Sequence, residues 1–506
     1  MLSLDKTQFL LSASSGANYI PLAKSWPADL ETPLTTWLKV GNDSPSGVLL
    51  ESVEGGETIG RWSVVASDPL WKVTARGNEL TRCWRNGKEE KFQGSPIAIL
   101  REMLEPYKSV SLSGLPQLGQ LFGMWGYELI QWIEPSVPIH DLSDQDLPDG
   151  IWMFMDKILI FDQVKRLITA VAYGNVNDGV SPEEAYETAC KQINELQSLM
   201  AAPLKPIKSL KWSEKENRPV DMTCHTTKKE FENSVRSAKE FIKKGDVFQL
   251  VLSQKLESNV RQKPFELYRS LRMVNPSPFM AFFNFGDWQL IGSSPEVMVK
   301  AQQTEKGIQA SLRPIAGTRP RGENDLEDST LKNDLLKDPK ERAEHVMLVD
   351  LGRNDLGRVC CPGSVFVKEL MVIEKYSHVM HIVSEVEGIL TAGKDVWDLL
   401  IASFPAGTVS GAPKIRAMQL INKLEKQRRG PYSGVYGSID LNGALNTAIT
   451  IRTMVVRRQN NNNFTVEVQA GAGVVADSIP SNEYQETLNK AKGMFTALAC
   501  LEAPAL

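Results

Sequence analysis

Residues 449–475 read ITIRTMVVRRQNNNNFTVEVQAGAGVV, and this stretch is the clearest single indication of the fold class. Two apolar runs rich in Val, Ile and Thr, residues 449–458 and 464–475, flank the polar run Asn460–Asn463. β-branched runs on either side of a polar turn are typical of an antiparallel hairpin. The stretch therefore predicts two long paired strands near the C-terminus.

Further strands and helices follow in mixed order on the N-terminal side of this hairpin. The predicted strands are 71–75, 158–162, 247–254, 281–285 and 289–291. The predicted helices are 182–199, 227–245 (begun by a capping box of Thr227 and Glu230), 326–352 (broken near Pro339), 410–428 (capped by Ser410) and 480–500. Such an order indicates an α+β fold rather than regular βαβ winding.

The chain length of 506 residues suits about two to four domains. Residues 201–222 are rich in Pro and Lys and lack periodicity, so we interpret them as a linker or a crossing loop. The predicted organisation is an N-terminal region, residues 1–200, and a second domain, residues 223–506.

Composition excludes several classes of protein. Lys and Arg number 57 against 61 Asp and Glu, a net charge of −4, which argues against a general nucleic-acid binder. The hydrophobic fraction of 42% is that of a folded globular protein rather than a disordered one. No stretch reads as a membrane helix or a targeting peptide, and the six cysteines form no CxxC pair, so we expect a reduced, cytoplasmic compartment.

Acidic side chains recur at helical spacing in two distant segments. Glu341 and Glu344 share a face of one predicted helix, and Glu483, Glu486 and Lys490 share a face of the last one. Each pattern alone also suits a solvated helix face. If the two faces met at a cleft, their carboxylates would suit Mg²⁺, which accepts one or two carboxylates together with substrate oxygens.

Three other features could belong to a functional site, and each also has a purely structural interpretation. The glycine clusters in 403–414 and 469–475 allow close approach of an anion, yet they match neither a dinucleotide fingerprint nor a P-loop. His378 and His381 are either structural or include a general base. Arg452, within an apolar strand pattern, is either an outward residue or a buried carboxylate clamp.

Nine motifs in fixed order resemble the chorismate-utilising enzymes, specifically component I of the anthranilate synthases, from about residue 47 to 497. They are GDVFQLVLSQ (245–254), NPSPFMAFF (275–283), GSSPE (292–296), RPIAGTRPRG (313–322), EHVMLVDLGRNDLGRV (344–359), YSHVMH (376–381), FPAGTVSGAPK (404–414), QAGAGVVADS (469–478) and ETLNKA (486–491). The resemblance implies the chorismate-binding fold, in which antiparallel β-sheets pack as a sandwich with helices outside.

The resemblance also implies a lyase reaction that needs Mg²⁺. Ammonia adds at C2 of chorismate, the C4 hydroxyl leaves, and elimination of pyruvate gives anthranilate, the first step of tryptophan biosynthesis. By the family pattern, the Mg²⁺ ligands are Glu344 and Glu486. The substrate-binding residues are Gly317, Thr318, Tyr432, Arg452, Gly471, Ala472, Gly473 and Lys490. The catalytic residues are His381 (base for the C2 proton), Glu296 (acid for the departing hydroxyl) and Thr318.

Two positions separate the branches of this family. Aminodeoxychorismate synthases, the alternative enzyme, have a nucleophilic Lys where this chain has Ala316. Isochorismate-forming members have a Lys where this chain has Gln249. A catalytically silent tryptophan sensor is the alternative of another class, and the retained acid, base and metal residues argue against it.

The implied reaction and its regulation predict two binding partners, a subunit that supplies ammonia and the inhibitor L-tryptophan. No cysteine has the context of a glutaminase nucleophile, so we expect a separate glutamine amidotransferase subunit and a hetero-oligomer. The segment LLESVEGGETIGRWS (49–63) resembles the family's tryptophan-feedback element. The resemblance makes Glu51 and Ser52 contacts of the amino-acid end of inhibitory L-tryptophan, and Pro278, Phe279 and Met280 the walls of the indole pocket.

Overall fold

Two large antiparallel sheets form the framework of the protein. The computed structural model describes residues 5–53, 60–112, 114–143, 146–177, 179–206, 209–213, 220–376, 379–460 and 463–501. Within these residues each sheet contains twelve strands.

The first part of the chain, to residue 224, contributes these elements: α1 (Lys6–Ser14), β1 (Tyr19–Pro27), α2 (Pro33–Val40), β2 (Gly47–Glu51), β3 (Trp62–Ser67), β4 (Trp71–Arg76), β5 (Glu79–Trp84), β6 (Glu89–Gln93), α3 (Pro96–Leu104), β7 (Leu121–Trp125), α4 (Ile130–Ile133), β8 (Gly150–Phe154), β9 (Lys157–Asp162), β10 (Leu167–Asn175), α5 (Pro182–Ala201) and β11 (Thr223–Cys224).

The remainder contributes these: α6 (Lys228–Lys243), β12 (Gln249–Val260), α7 (Pro264–Val274), β13 (Phe279–Asn284), β14 (Trp288–Ser294), β15 (Val297–Thr304), β16 (Gly307–Leu312), β17 (Ile315–Pro320), α8 (Asp325–Lys337), α9 (Pro339–Gly357), β18 (Phe366–Lys375), β19 (Val379–Ile389), α10 (Val396–Ser403), β20 (Gly411–Ala412), α11 (Lys414–Leu424), β21 (Val435–Ile439), β22 (Leu445–Ile449), β23 (Thr453–Asn460), β24 (Asn463–Val474) and α12 (Pro480–Ala499).

Both sheets contain strands from either side of residues 201–222. The first sheet has the order β1-β10-β9-β3-β2-β13-β14-β23-β24-β12-β11, with β20 beside β12. The second has the order β17-β19-β16-β15-β22-β21-β7-β8-β4-β5-β6, with β18 beside β19. The N-terminal region therefore pairs edge to edge with the rest of the chain, and the predicted division at 201–222 stays a prediction about domain boundaries.

The main core lies between the two sheets. In β13, Ala281 and Phe283 face this inter-sheet core, whereas Met280 and Phe282 face a second core under the helices. This alternation follows from the two-residue period of a strand, and it lets one strand serve two buried layers. Residues of α5, α7 and α12 fill the outer layer over the first sheet. The predicted α+β sandwich with helices outside is confirmed.

The predicted hairpin is present, as β23 and β24 pair antiparallel with Met454 opposite Val468. The capping box at Thr227 and Glu230 begins α6 as expected. The predicted break at Pro339 separates α8 from α9, where Asp338 accepts hydrogen bonds from the first backbone amides of α9.

One predicted helix was too long at both ends. The sequence pattern predicted residues 410–428, but α11 runs only from Lys414 to Leu424. Pro413 disfavours helical backbone in the residue before it, so Gly411 and Ala412 are extended and pair with β12 instead. Among the described residues, no helix is both long and apolar enough to cross a membrane.

Candidate active site

A cavity of about 570 Å³ opens where β12 and β24 approach β17 and β19, with α9 and α12 at its acidic end. The predicted site residues that line it are Glu296, Gly317, Thr318, Glu344, His381, Tyr432, Arg452, Gly471, Gly473, Glu486 and Lys490. These residues span almost two hundred positions of sequence. The fold therefore brings together in one cavity most of the groups that the motifs singled out.

The acidic end of the cavity holds four carboxylates on two helices. α9 presents Glu341 and Glu344, and α12 presents Glu483 and Glu486. Burial is the main cause that raises the pKa of Glu344 above its usual value. The charge of Lys340 opposes this shift, and the nearby carboxylates, Glu486 among them, add to it. Burial likewise raises the pKa of Glu483. The carboxylates therefore lie close enough to repel one another, which favours a bound cation.

Two lysines partly balance these carboxylates. Lys340 Nζ lies 3.9 Å from Glu344 Oε1, and Lys490 Nζ lies 2.7 Å from Glu486 Oε1. Lys490 also donates to the carbonyl of Gly471 at 3.0 Å, which ties α12 to the glycine-rich end of β24. Each lysine is one helical turn from its glutamate, so each helix positions both the carboxylate and the ammonium group of its pair.

The donor set fits Mg²⁺ held partly by the protein. Within the described chain, no group of three or more His, Cys, Asp or Glu side chains forms a ready-made metal site. Glu344 and Glu486 offer hard carboxylate oxygens from two helices. Mg²⁺ is commonly bound through one or two carboxylates, with water and substrate oxygens as its other ligands.

His381 is held by the strand opposite it. Its Nδ1 lies 3.2 Å from the carbonyl oxygen of Gly317 and 3.0 Å from Thr318 Oγ1. A carbonyl oxygen only accepts, so Nδ1 carries the proton, and Nε2 of the neutral ring is left as a base. Burial, reinforced by the charge of Arg452, lowers the pKa of His381 and keeps the ring neutral at pH 7.

A bulge in β17 creates this arrangement. The pairing with β19 shifts between Ala316 and Thr318, and Gly317 between them has φ +77°. Glycine adopts this left-handed backbone without strain, so its carbonyl can turn towards His381. A Cβ here would also lie 3.1 Å from Glu341 Oε2.

Glu296 is the acid with the most shifted pKa in the cavity. Burial raises the pKa of Glu296 to about 7, although Thr408 and the charge of Lys490 oppose the shift. Near neutral pH this carboxyl group is therefore protonated in a large fraction of molecules. A carboxyl with such a pKa is suited to general acid catalysis.

Arg452 corrects one expectation about local structure. It was predicted within a strand, but it lies in the link between β22 and β23 with φ +51°. Its carbonyl accepts from Ser293 N at 3.1 Å, and its Nη1 donates to the carbonyl of Lys490 at 3.0 Å. Left-handed backbone is costly for arginine and is found where neighbouring contacts enforce it, often at functional sites. Arg452 is half-buried and lines the cavity, and its role as a carboxylate clamp stays a prediction.

The glycines of β24 make room for other cavity residues. A Cβ on Gly471 would lie 2.5 Å from Tyr432 Oη and 2.9 Å from the carbonyl oxygen of Leu252. A Cβ on Gly473 would lie 2.6 Å from Gln249 Nε2. Ala472, between the two, is fully buried and is not among the residues that line the cavity.

Gly471→Ala is expected to raise the KM for the substrate about tenfold, because the added methyl displaces Tyr432 and overpacking costs about 1–3 kcal/mol. Steady-state kinetics measure the effect. Gly357→Ala is the matched control, since a Cβ there meets nothing within 4 Å. Unchanged kinetics in the Gly471 variant would show that Tyr432 does not shape the substrate site.

Known proteins resemble this chain over nearly its whole length. The model of the chorismate binding enzyme family matches residues 48–496. The chain belongs to this chorismate-binding family. Anthranilate synthase component 1 of Synechocystis sp. is 55% identical over 508 residues, covering 99% of this chain and 100% of the relative. Its counterpart in Pseudomonas aeruginosa is 42% identical, with 99% of each chain covered.

Solved structures agree with this placement. Anthranilate synthase component I of Streptococcus pneumoniae superposes with a TM-score of 0.73 at 38% identity, over 86% of this chain and 92% of that one. The isochorismate synthase MenF of Escherichia coli, at 18% identity and a TM-score of 0.68, shares the fold. The resemblance and the chorismate-using enzyme class predicted from the motifs are confirmed.

Both branch-separating positions of the chorismate-binding family face the cavity. Ala316 and Gln249 are among its lining residues. Glu341 and Glu483, which helical spacing placed on the two acidic faces but the family pattern did not include among the ligands, also line the cavity. Gln469 lines the cavity as well and was not predicted, although its position two residues before Gly471 places it on the same face of β24.

The residues predicted to form the tryptophan element come from two adjacent strands, and their role stays a prediction. Glu51 in β2 pairs with Met280 in β13, so the two predicted halves of the element are adjacent. The Glu51 carboxylate is buried and accepts from Tyr268 and from Arg272. Ser52 Oγ is buried and has no hydrogen-bond partner within the described part of the chain. Residues 54–59 of the motif, and His378, lie outside the described residues.

Proposed function

We propose that this protein is the chorismate-using component of an anthranilate synthase. It converts chorismate and ammonia into anthranilate and pyruvate, the first step of tryptophan biosynthesis. The observation that carries the proposal is the meeting of Glu296, a neutral His381 and the paired acidic helices around one cavity. Ala316 and Gln249 support this branch, because neither side chain offers the amine that the alternative branches use.

Substrate binding follows from the charges that line the cavity. Chorismate is a dianion, and four carboxylates at one end would repel it without a cation. Glu344 and Glu486 would hold Mg²⁺, which supplies the fixed positive charge for the ring carboxylate. Arg452 and Tyr432 would bind the enolpyruvyl carboxylate, and Lys490 adds a further positive charge.

Two residues move the protons. Glu296 donates a proton to the C4 hydroxyl as it departs, while ammonia forms the new bond at C2. His381 then removes the C2 proton through Nε2, since Nδ1 is occupied by the carbonyl of Gly317. The amine formed at C2 releases one proton, which balances the proton that Glu296 donates. The enolpyruvyl group then leaves and takes up a proton, which balances the one His381 removes, to become pyruvate as the ring aromatises. The pKa values of the two groups are shifted in opposite directions, which makes one an acid and the other a base at the same pH.

The direct test is an assay of the purified protein with chorismate, an ammonium salt and Mg²⁺. Formation of anthranilate, followed by its fluorescence, would support the proposal. A p-aminobenzoate precursor would identify the aminodeoxychorismate branch, and no product at all would favour a silent sensor.

In the cell, a separate glutamine amidotransferase subunit would supply the ammonia, so the working enzyme would be a hetero-oligomer. A cytoplasmic location belongs to the same proposal. The thiols of Cys83, Cys190, Cys224, Cys360 and Cys361 are free, as a reducing compartment would keep them.

L-Tryptophan would inhibit the enzyme through the element around Ser52. A chain of contacts joins this element to the catalytic cavity: Asn275 Nδ2 donates to Ser293 Oγ at 2.9 Å, and Ser293 N donates to the carbonyl of Arg452 at 3.1 Å. A shift of residues 275–280 on tryptophan binding would therefore move the backbone of Arg452. Coupling of this kind is reciprocal and typically amounts to about 1–3 kcal/mol.

Ser52→Ala is expected to raise the tryptophan concentration for half-inhibition about tenfold or more without changing kcat. The buried hydroxyl is available to the inhibitor, and a hydrogen bond to a charged group contributes about 1.5–3 kcal/mol. Inhibition curves of the parent and the variant measure the effect. Ser63→Ala, in neighbouring β3, is the control; a Ser52→Ala curve that overlays the parent's would refute the regulatory site.

A further inference from the structure

A second cavity lies beside the catalytic one. It has a volume of about 370 Å³ and opens between α6 and the C-terminal end of α11, with Ser237 at its exposed mouth. Its inner end is formed by three polar side chains, Ser253, Glu425 and Gln469. We call it the side cavity.

The hydrogen bonds at its inner end fix the orientation of one amide. Ser253 Oγ donates to Glu425 Oε1 at 2.9 Å, because a carboxylate can only accept. Ser253 Oγ must therefore accept from Gln469, whose Nε2 lies 2.8 Å away. The amide oxygen Oε1 of Gln469 is consequently the atom that points away from this pair.

That oxygen has no hydrogen-bond partner within the described chain, although Gln469 as a residue is only 8% exposed. Leaving a buried acceptor unsatisfied costs about 1–3 kcal/mol, so such an atom calls for a ligand with an N–H or O–H donor. Gln469 lines both the side cavity and the catalytic cavity. A small donor bound to its Oε1 would stand at the boundary between them.

The charges around the side cavity favour a neutral donor. Arg429 is buried against Glu425 through two hydrogen bonds, of 2.8 and 2.6 Å, so the carboxylate at the inner end is already neutralised. Three lysines line the cavity further out; Lys255 pairs with Glu467 at 3.4 Å and Lys426 with Glu230 at 2.9 Å, so the remaining positive charge is that of Lys423. A cation would meet this positive excess, whereas neutral ammonia would not.

We propose that the side cavity admits ammonia to the catalytic cavity, with Gln469 Oε1 as its acceptor at the passage between them. The inference rests on the proposed function, in which ammonia is the nucleophile. It adds the route and the residue that receives ammonia on this route.

Two variants test the route. Ser237→Trp fills the mouth from an exposed helix position, and Gln469→Leu removes the acceptor at similar volume. Both are assayed with chorismate, Mg²⁺ and varied ammonium chloride at constant pH and ionic strength. We expect the KM for ammonium to rise at least fivefold in each. In Ser237→Trp the KM for chorismate should stay at the parent value, because Ser237 does not line the catalytic cavity.

Glu240→Trp is the matched control, as Glu240 is exposed on the same helix and does not line the side cavity. Thermal unfolding of all variants checks that the fold is retained. A parent-like KM for ammonium in Ser237→Trp, or an equal rise in Glu240→Trp, would overturn the route while the parent's anthranilate formation upheld the function. No anthranilate from the parent would overturn the proposed function and the route with it.

Discussion

Glu486→Ala is expected to lower kcat/KM for chorismate about a thousandfold or more at any practical Mg²⁺ concentration. The variant removes one of two carboxylates proposed to hold the metal, and it leaves the charge of Lys490 unpaired next to the substrate site. Charge stabilisation by a bound metal contributes several kcal/mol, and each 1.36 kcal/mol corresponds to a factor of about ten in rate. Glu344→Ala should behave in the same way.

The fold should survive both changes, because the two side chains lie at a cavity and not in either hydrophobic core. Gln485→Ala and Asp350→Ala are matched controls, since both residues are exposed on the same two helices. Steady-state rates across a Mg²⁺ titration, with circular dichroism to check folding, provide the measurement. Normal Mg²⁺-dependent rates in either glutamate variant would refute the metal assignment.

Glu296→Gln is expected to lower kcat by about 10²–10⁴, the usual contribution of a positioned general acid. Glutamine keeps the shape and the hydrogen-bonding capacity of the side chain but has no proton to donate to the departing hydroxyl. The KM for chorismate should change little, because Glu296 acts at the reacting bond and not in holding the carboxylates.

The pH dependence of the same variant gives an independent test. Burial raises the pKa of Glu296 to about 7, so the parent should lose kcat/KM above that pH as the acid form disappears. The pKa of His381 is lowered by burial, so its base form is lost only at acidic pH. The parent should therefore show a bell-shaped profile, and Glu296→Gln should lose the alkaline limb. Retention of that limb at the parent's pH would show that another group is the acid; Glu305→Gln, at an exposed site, is the control.

The fold could be predicted wherever local pattern decided it. The hairpin of β23 and β24, the break at Pro339 and the capping box of α6 all rest on short-range chemistry and were predicted from residues close in sequence. The edge-to-edge pairing of β2 with β13 joins residues more than two hundred positions apart. No periodicity carries that information. The N-terminal limit of α11 is set locally by Pro413, whereas the pairing of Gly411 and Ala412 with β12 depends on the tertiary structure.

In the active site too, some features follow from local sequence and others only from the tertiary structure. Spacing alone placed Glu344 and Glu486 on helix faces, but only the tertiary structure brings those faces to one cavity. Arg452 was predicted in a strand because its neighbours in sequence are apolar. Its left-handed backbone is accompanied by the hydrogen bond from Ser293 N, which the sequence pattern does not reveal. The engagement of the Glu51 carboxylate by Arg272 was equally invisible in the sequence, since the partner lies far along the chain. The roles themselves came from the family motifs and remain predictions until they are tested.

The central claim, that carboxylates on α9 and α12 share one divalent ion facing the substrate, is tested most directly by crystals grown with Mn²⁺ in place of Mg²⁺. Anomalous diffraction at the manganese edge locates the ion without reference to activity. The account predicts one strong peak in the catalytic cavity, within about 2.0–2.3 Å of oxygens from both Glu344 and Glu486. The claim would be contradicted if the protein required the metal for turnover but the manganese peak lay near neither Glu344 nor Glu486.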